Sequence, residues 1–189
     1  MINKIKVLGI SGSLRQDSYN TAALRAARDS APSNMDIEFA DLSQIPLYDQ
    51  DLRDQKVPAA VIKLTEQIRA ADALLFATPE YNYSMPGVLK NAIDWVSREQ
   101  SQPFAGKPAA IMSASLSLLG GMRAQYDLRR TMVYLDMHCL NKPEVMIASA
   151  HDRFDAEGRL TDETTREFIA KLVMALGDWT QKLKAGEQR

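Results

Sequence analysis

The sequence predicts an α/β fold in which helices cover both faces of a parallel β-sheet. Short apolar runs of strand length alternate with longer amphipathic segments of helical length along the whole chain. Such alternation is typical of parallel sheets, because the crossover helices lie on both sides of the sheet. The chain of 189 residues has the length of one domain, with no repeat or internal linker. We therefore expect residues 1–189 to form a single domain.

Each predicted element follows from its local pattern. Apolar runs predict strands over residues 5–10, 36–40, 73–77 and 108–114, and a fifth strand around Cys139 and residues 145–148. Helices are predicted over residues 21–31, 59–70, 88–96 and from Gly120-Gly121 to about 136, and residues 42–57 are predicted to be a loop. The last helix has the clearest signals, with Thr161 as its cap and Asp162 and Glu163 in its first turn. Apolar residues recur at helical spacing along one face of this helix, at Phe168, Ile169, Leu172, Val173, Leu176 and Trp179.

Five strands and five helices fit a flavodoxin-like three-layer sandwich with the strand order 2-1-3-4-5. In that order the direction of winding changes between the first and third strands, and ligands bind there at the carboxyl ends of the strands. The loops after these two strands are therefore expected to carry the chemistry.

Composition excludes several classes of function. The net charge is −1, which argues against a nucleic-acid partner or an anionic membrane surface. No apolar stretch approaches the roughly 18 residues of a membrane span, and the N-terminus has no signal-peptide pattern. The one cysteine, Cys139, excludes an internal disulfide and fits the cytoplasm. His138 and His151 have no suitably spaced partners, so we expect no metal site.

The first polar loop, residues 11–20, contains a cluster of groups that bind phosphate. They are the hydroxyls of Ser11, Ser13 and Ser18, the amide of Asn20 and the guanidinium of Arg15. A predicted helix follows, and its N-terminus offers free N–H groups and a partial positive charge. Arginine can bind two oxygens of one phosphate. The loop therefore predicts a site for a phosphate monoester.

The loop after the third strand, residues 78–87, is stiff and aromatic. Pro79 and Pro86 restrict its backbone, and Tyr81, Asn82 and Tyr83 lie between them. A planar, partly polar ring suits such a surface, with fixed N–H groups at its edge and flat faces over its plane. The alternative is a plain turn into the next helix. We favour the ring site because this loop and the phosphate loop flank one crevice.

A third loop, residues 113–125, follows the fourth strand. Its Gly120-Gly121 pair by itself favours a simple break before a helix. The loop is also placed to close the other side of the same pocket.

These loops resemble those of the NADPH-dependent FMN reductase family, a flavodoxin-like group that includes quinone, chromate and azo-dye reductases. Residues 12–20 match the family's Gly-Ser-x-Arg-x-x-Ser-x-Asn, and residues 79–94 match its Pro-Glu-Tyr-Asn-x-Ser-x-Pro-Gly-x-Leu-Lys-Asn-x-Ile-Asp. Residues 120–125 resemble its Gly-Gly-x-Arg-Ala-Gln, and residues 142–144 the end of its Asn-Lys-Pro-Glu. The similarity spans about residues 5–150.

The resemblance implies non-covalent FMN, with NADPH or NADH as the co-substrate. It assigns the phosphate to Ser13, Arg15, Ser18 and Asn20, the ring and ribityl chain to Pro79, Glu80, Tyr81, Asn82 and Tyr83, and the flavin edge to Ser115 and Ser117. One departure is Leu116-Ser117-Leu118, where the family often has a small pair. This bulk would narrow the pocket or change which acceptor fits.

The activity so implied is hydride transfer from NAD(P)H through FMN to quinones, free flavin, azo dyes or chromate, in a ping-pong cycle. No catalytic side chain is assigned, because the first half of that cycle needs no side-chain acid. An alternative is a flavodoxin-type electron carrier without its own substrate, although such carriers tend to be strongly acidic. A dinucleotide-binding dehydrogenase with Asp41 on the ribose is a weaker alternative, since the second and third glycines of Gly-x-Gly-x-x-Gly are absent.

Related proteins form dimers, sometimes paired into tetramers, and the sequence suggests where. The third helix has more apolar positions than one buried stripe needs, at Val88, Leu89, Ala92, Ile93, Trp95 and Val96. This excess predicts a second contact surface and a homodimer at least. Arg123, Tyr126 and Glu144 would join two dimers into a homotetramer, or else are ordinary solvated residues.

Overall fold

Six strand segments form one parallel sheet in the computed structural model, which describes residues 4–187. The order is β2-β1-β3-β4-β5, with β6 also paired to β4, and this confirms the predicted order 2-1-3-4-5. The predicted range 1–189 extends beyond the described residues at 1–3 and 188–189. The segments are β1 (Ile5–Ser11), β2 (Met35–Phe39), β3 (Ala73–Ala77), β4 (Pro108–Ala114), β5 (His138–Cys139) and β6 (Val145–Ile147).

The fifth strand position is occupied by two segments rather than one. β5 pairs with Pro108 and Ala109 at the start of β4, whereas β6 pairs with residues 112–114 at its end. The chain between them leaves the ladder and includes Pro143, which has no N–H to donate to a neighbouring strand. The predicted single strand is therefore interrupted in its middle.

Residues 4–187 contain six α-helices, one more than predicted. They are α1 (Tyr19–Asp29), α2 (Gln50–Gln55), α3 (Ala59–Ala70), α4 (Gly87–Val96), α5 (Met122–Tyr134) and α6 (Glu163–Glu187), and a short 3₁₀ turn spans Ala150–Asp152. The additional helix, α2, lies in the segment that was predicted to be a loop. It is six residues long and buries none of them, so it has no apolar period to detect. None of the helices in residues 4–187 combines the length and hydrophobicity needed to cross a membrane.

The start of α1 and the N-terminal cap of α6 lie at other residues than predicted. α1 begins at Tyr19, because the hydroxyl of Ser18 accepts the N–H of Thr21 at 3.3 Å and caps the helix. The predicted cap of the last helix, Thr161, is wrong. The carboxylate of Asp162 accepts the N–H of Thr165 at 2.8 Å, while the Thr161 hydroxyl donates to the carbonyl of Arg153 at 3.1 Å.

The core consists of two apolar layers, one on each face of the sheet. α1 and α6 cover one face with residues such as Leu24 and Val173, and α3, α4 and α5 cover the other. Successive residues of a strand pack into opposite layers, as Leu75 and Leu74 do in β3. The layers fix the strands, and with them the positions of the loops at their carboxyl ends.

The predicted apolar excess of α4, which suggested a second contact surface, is wrong. Leu89, Ile93, Trp95 and Val96 are all buried within the chain. The segment before α2 covers the helix, since the indole Nε1 of Trp95 donates to the carbonyl of Pro46 at 2.8 Å. The apolar excess of this helix is thus accounted for inside one chain, and the oligomeric state stays a prediction.

Candidate functional site

The three predicted loops meet at the carboxyl edge of the sheet and line one crevice. The cavity volume of the crevice is about 260 Å³, and the crevice is open to solvent. Its lining includes most of the predicted residues together with two that the sequence did not assign to the site, Tyr19 and Ala114, and Leu116, whose bulk was expected to narrow the pocket. Ser11, Asn82, Tyr83 and Ser117 lie outside that lining, and the residues within it are Ser13, Arg15, Ser18, Tyr19, Asn20, Pro79, Glu80, Tyr81, Ala114, Ser115 and Leu116.

The first loop packs directly against the second. The N–H of Gly12 donates to the carbonyl of Ala77 at 2.8 Å. A Cβ at Gly12 would lie 3.0 Å from the hydroxyl oxygen of Thr78 and 3.3 Å from Cδ of Pro79. Glycine therefore permits this close approach of the two loops. The hydroxyl of Ser11 lies 2.9 Å from that of Thr21, so Ser11 connects the start of the first loop to α1.

Arg15 is the free cation of this crevice. Within residues 4–187 its guanidinium has no carboxylate partner, and the guanidinium carbon lies 5.9 Å from the centroid of the Tyr19 ring. Ser18 caps α1 through its oxygen, and the oxygen of Ser13 accepts the N–H of Arg15 at 3.3 Å, so both hydroxyl protons remain to be donated. An unpaired guanidinium, two hydroxyls and a helix N-terminus are groups that can bind an anion, and binding of a phosphate here stays a prediction.

Asn20 connects the first loop to the third. Its side chain is 3% exposed, its Nδ2 donates to the carbonyl of Ala114 at 3.0 Å and its Oδ1 accepts the N–H of Ala114 at 2.8 Å. The carboxamide thus pairs with β4 as a neighbouring strand would. One hydrogen of Nδ2 remains for another acceptor, and contact between Asn20 and a phosphate stays a prediction.

The second loop contains a tight two-residue turn. The backbones of Tyr81 and Ser84 exchange two hydrogen bonds of 3.0 Å. Asn82 and Tyr83 between them have φ angles of 51° and 68°. This left-handed pair is the geometry of a type I′ turn, which usually needs Asn or Gly and costs free energy for tyrosine. The turn leaves Tyr81 and Tyr83 exposed beside the crevice.

Glu80 points from the second loop to α5. Its carboxylate accepts the Arg123 N–H at 3.0 Å and the Arg123 guanidinium at 2.9 Å. α5 follows Gly121, which provides no side-chain cap, so Glu80 caps that helix from outside. This pair was not predicted, because its partners are 43 residues apart.

Hydrogen bonds between two of its serines hold the third loop. The Ser115 hydroxyl lies 3.2 Å from that of Ser117 and accepts the N–H of Ser117 at 3.1 Å. Ser117 thus supports Ser115, which lines the crevice. Leu116 lies on the crevice wall, and Leu118 is 87% exposed.

The residues predicted to join dimers have partners inside the chain. Arg123 binds Glu80, and the Tyr126 hydroxyl lies 3.5 Å from the Glu144 carboxylate. Lys142 also contacts Glu144, at 3.1 Å. A tetramer through these residues stays a prediction.

Comparison with known proteins adds to this geometry. The family described as NADPH-dependent FMN reductase matches residues 5–152. The chain belongs to this family. A relative from Pseudomonas aeruginosa, an NAD(P)H-dependent FMN reductase, is 61% identical over 184 residues, which are 97% of this chain and 100% of the relative. A quinone reductase of Escherichia coli is 42% identical over 187 residues and is matched over 97% of this chain and 100% of its own length.

A solved structure has the same architecture. FerB, a flavoenzyme NAD(P)H:(acceptor) oxidoreductase from Paracoccus denitrificans, superimposes with a TM-score of 0.86 at 34% identity. The match covers 94% of this chain and 98% of FerB.

Proposed function

We propose that this protein uses bound FMN to transfer electrons from NAD(P)H to quinones and related small acceptors. The observation that carries the proposal is the crevice in which unpaired Arg15 and the N-terminus of α1 share one cavity with Pro79 and Tyr81. It offers one anion site and one flat, partly apolar surface. FMN has one terminal phosphate and one planar ring, so the residues present fit it.

Each part of the crevice has a separate task in this proposal. Arg15, Ser13 and Ser18 bind the phosphate through charge-assisted hydrogen bonds. Pro79 and Tyr81 cover the ring, and Ser115 lies at its edge. When bound, FMN supplies the redox chemistry by accepting a hydride and passing electrons to an acceptor. The part of the chain in this proposal is to bind and orient the reactants, and no side chain is assigned a proton transfer.

We infer a ping-pong cycle, because one open crevice serves NAD(P)H and the acceptor in turn. Leu116 gives the wall an apolar side chain, which favours flat acceptors such as quinones, azo dyes and free flavin over chromate. The electron-carrier alternative is distinguished by one assay. Purified protein with FMN, NADPH and a quinone should consume NADPH without any second protein, whereas a carrier would not.

The test of the binding mode is Arg15→Ala, titrated as apo-protein with FMN and with riboflavin. We expect FMN binding to weaken by about 1.5–3 kcal/mol, the range for hydrogen bonds to charged groups, while riboflavin binding changes little. Arg25→Ala is the matched control, since Arg25 is an exposed arginine of α1 outside the crevice. Equal loss for both ligands would place Arg15 away from the phosphate. Release of FAD, or no flavin after reconstitution, contradicts the function itself.

We propose also that the protein acts in the cytoplasm as a homodimer at least. Support comes from apolar side chains that stay exposed in one chain, at Leu118, Val133 and Tyr134. Light scattering coupled to size exclusion at micromolar protein tests the assembly, and a monomer contradicts it. A tetramer through Arg123, Tyr126 and Glu144 is tested by Glu144→Ala, and a tetramer that survives this change excludes that contact.

A further inference from the structure

The 79–85 loop contains a turn whose second central residue, Tyr83, has a backbone conformation that tyrosine does not favour. Asn82 and Tyr83 are consecutive left-handed residues, and neither is glycine. Within the turn, the backbones of Tyr81 and Ser84 exchange two hydrogen bonds of 3.0 Å, and both tyrosines of the loop are largely exposed. Something outside the loop therefore has to hold this conformation.

Helix α5 contacts the loop at both ends of the turn. Before the turn, Arg123 binds Glu80 through its N–H and its guanidinium. After the turn, the carboxylate of Asp127 accepts the hydroxyl of Ser84 and, at 3.4 Å, the N–H of Met85. Arg123 and Asp127 are four residues apart, so they lie one helical turn apart on the same face of α5.

The turn itself is contacted as well. The guanidinium carbon of Arg123 lies 3.9 Å from the ring centroid of Tyr83, within the range of a cation–π interaction. One arginine thus binds a carboxylate before the turn and an aromatic ring inside it. These contacts orient Tyr83 although its side chain is exposed.

Asp127 is a mostly buried carboxylate whose surroundings favour its charged form. Its side chain is 19% exposed, and Arg130, which is 83% exposed, contacts it from the solvent side at 2.5 Å. The hydrogen bond from Ser84 lowers the pKa of this carboxyl, burial opposes the change, and Arg130 adds to the lowering. Neither Asp127 nor Arg123 lines the crevice, so their effect on a ligand passes through the loop.

We propose that Arg123 and Asp127 are positioning residues that hold the 79–85 loop in the shape that binds the flavin ring. This inference rests on the proposed function. The contacts fix the turn before any ligand arrives, so that ligand binding does not have to order the loop. Loss of the anchors therefore weakens ring binding and leaves the phosphate site intact.

The experiment compares FMN with riboflavin in titrations of apo-protein. Arg123→Met and Asp127→Ala should each raise the dissociation constants of both flavins by the same factor, about tenfold, because hydrogen bonds to charged groups are lost. Arg15→Ala should instead raise that of FMN alone. Arg130→Ala is the control for Asp127, since it removes the solvent-side partner and no contact to the loop.

A double-mutant cycle and a spectrum separate positioning from loss of folding. Ser84→Ala and Asp127→Ala should be non-additive, because they remove the same bond from opposite sides. At saturating FMN, Ser84→Ala and Asp127→Ala should each change the visible circular dichroism of the bound ring. A loss of stability alone would leave this spectrum unaltered.

Three results overturn the inference. Wild-type affinity of both Arg123→Met and Asp127→Ala for both flavins would show that the loop keeps its shape without these contacts from α5. A loss confined to FMN would place the effect at the phosphate. A wild-type protein that binds neither flavin overturns the proposed function and the positioning role together, whereas the first two results leave the proposed function standing.

Discussion

Replacing Asn20 with alanine is expected to detach the first loop from the sheet. The carboxamide forms hydrogen bonds of 2.8 and 3.0 Å with the N–H and C=O of Ala114, and its side chain is almost fully buried. Alanine forms neither bond. The N–H and C=O of Ala114 then lose the hydrogen-bond partner that the Asn20 carboxamide provides.

The expected size follows from these two groups. A buried polar group left without a partner costs about 1–3 kcal/mol, so two of them cost about 2–6 kcal/mol. Ala114 also lines the open crevice, where water can replace part of the loss. We therefore expect Asn20→Ala to lower the free energy of unfolding by about 2–4 kcal/mol.

Urea unfolding of apo-protein, followed by tryptophan fluorescence, measures this loss, since Trp95 is fully buried. The control is Asn141→Ala, at an exposed asparagine whose Oδ1 accepts from Arg129 at 3.3 Å, with an expected change within about 0.5 kcal/mol. A loss at Asn20 no larger than the control's refutes the argument. If FMN affinity then falls without any change of stability, Asn20 is a phosphate ligand rather than a strand partner.

Two further predictions concern glycine and acid. Gly121→Ala should lower the free energy of unfolding by about 2 kcal/mol or more, because φ is +87° and the new Cβ would lie 2.8 Å from Cβ of Ser113. In the same urea assay Gly186→Ala, in open space within α6, should leave stability unchanged or slightly raised, and equal losses at the two glycines contradict the reasoning. The lowered pKa of Asp127 means that its charged form stabilises the fold fully above the usual carboxyl pKa of about 4, and that this stability is lost as the pH falls through the lowered pKa. Between pH 5 and pH 3 the free energy of unfolding of the wild type should therefore fall more than that of Asp127→Asn. Identical pH profiles of the two proteins would contradict a stabilising role for the charged form of Asp127.

Strand order and the meeting of the loops were predictable because they depend on local patterns and topology. β3 and β4 are buried along their whole length, so their apolar runs gave the correct bounds, at Ala73–Ala77 and Pro108–Ala114. Parallel strands end at one edge, which brings Arg15, Tyr81 and Ser115 into one crevice.

Contacts between distant residues were not predictable from the same patterns. The bonds of Asn20 to Ala114 join residues 94 apart, and the bonds of α5 to the second loop join residues 42 or 43 apart. The apolar excess of α4 was misinterpreted for a similar reason. The sequence of a helix shows whether it has two apolar faces, but it does not show what covers the second face. Here the segment around Pro46 of the same chain covers it, where a partner subunit was expected from the sequence.

The divided fifth strand has a consequence for aggregation. Two segments of two and three residues offer no continuous row of N–H and C=O groups for an incoming strand, and Pro143 lies between them. At the opposite border β2 exposes Asp36 and Glu38, and bringing two such borders together would bring like charges together. Neither border can recruit another β-strand readily, so copies of this chain are protected from edge-to-edge polymerisation. Any association between them has to use side chains on helices and loops.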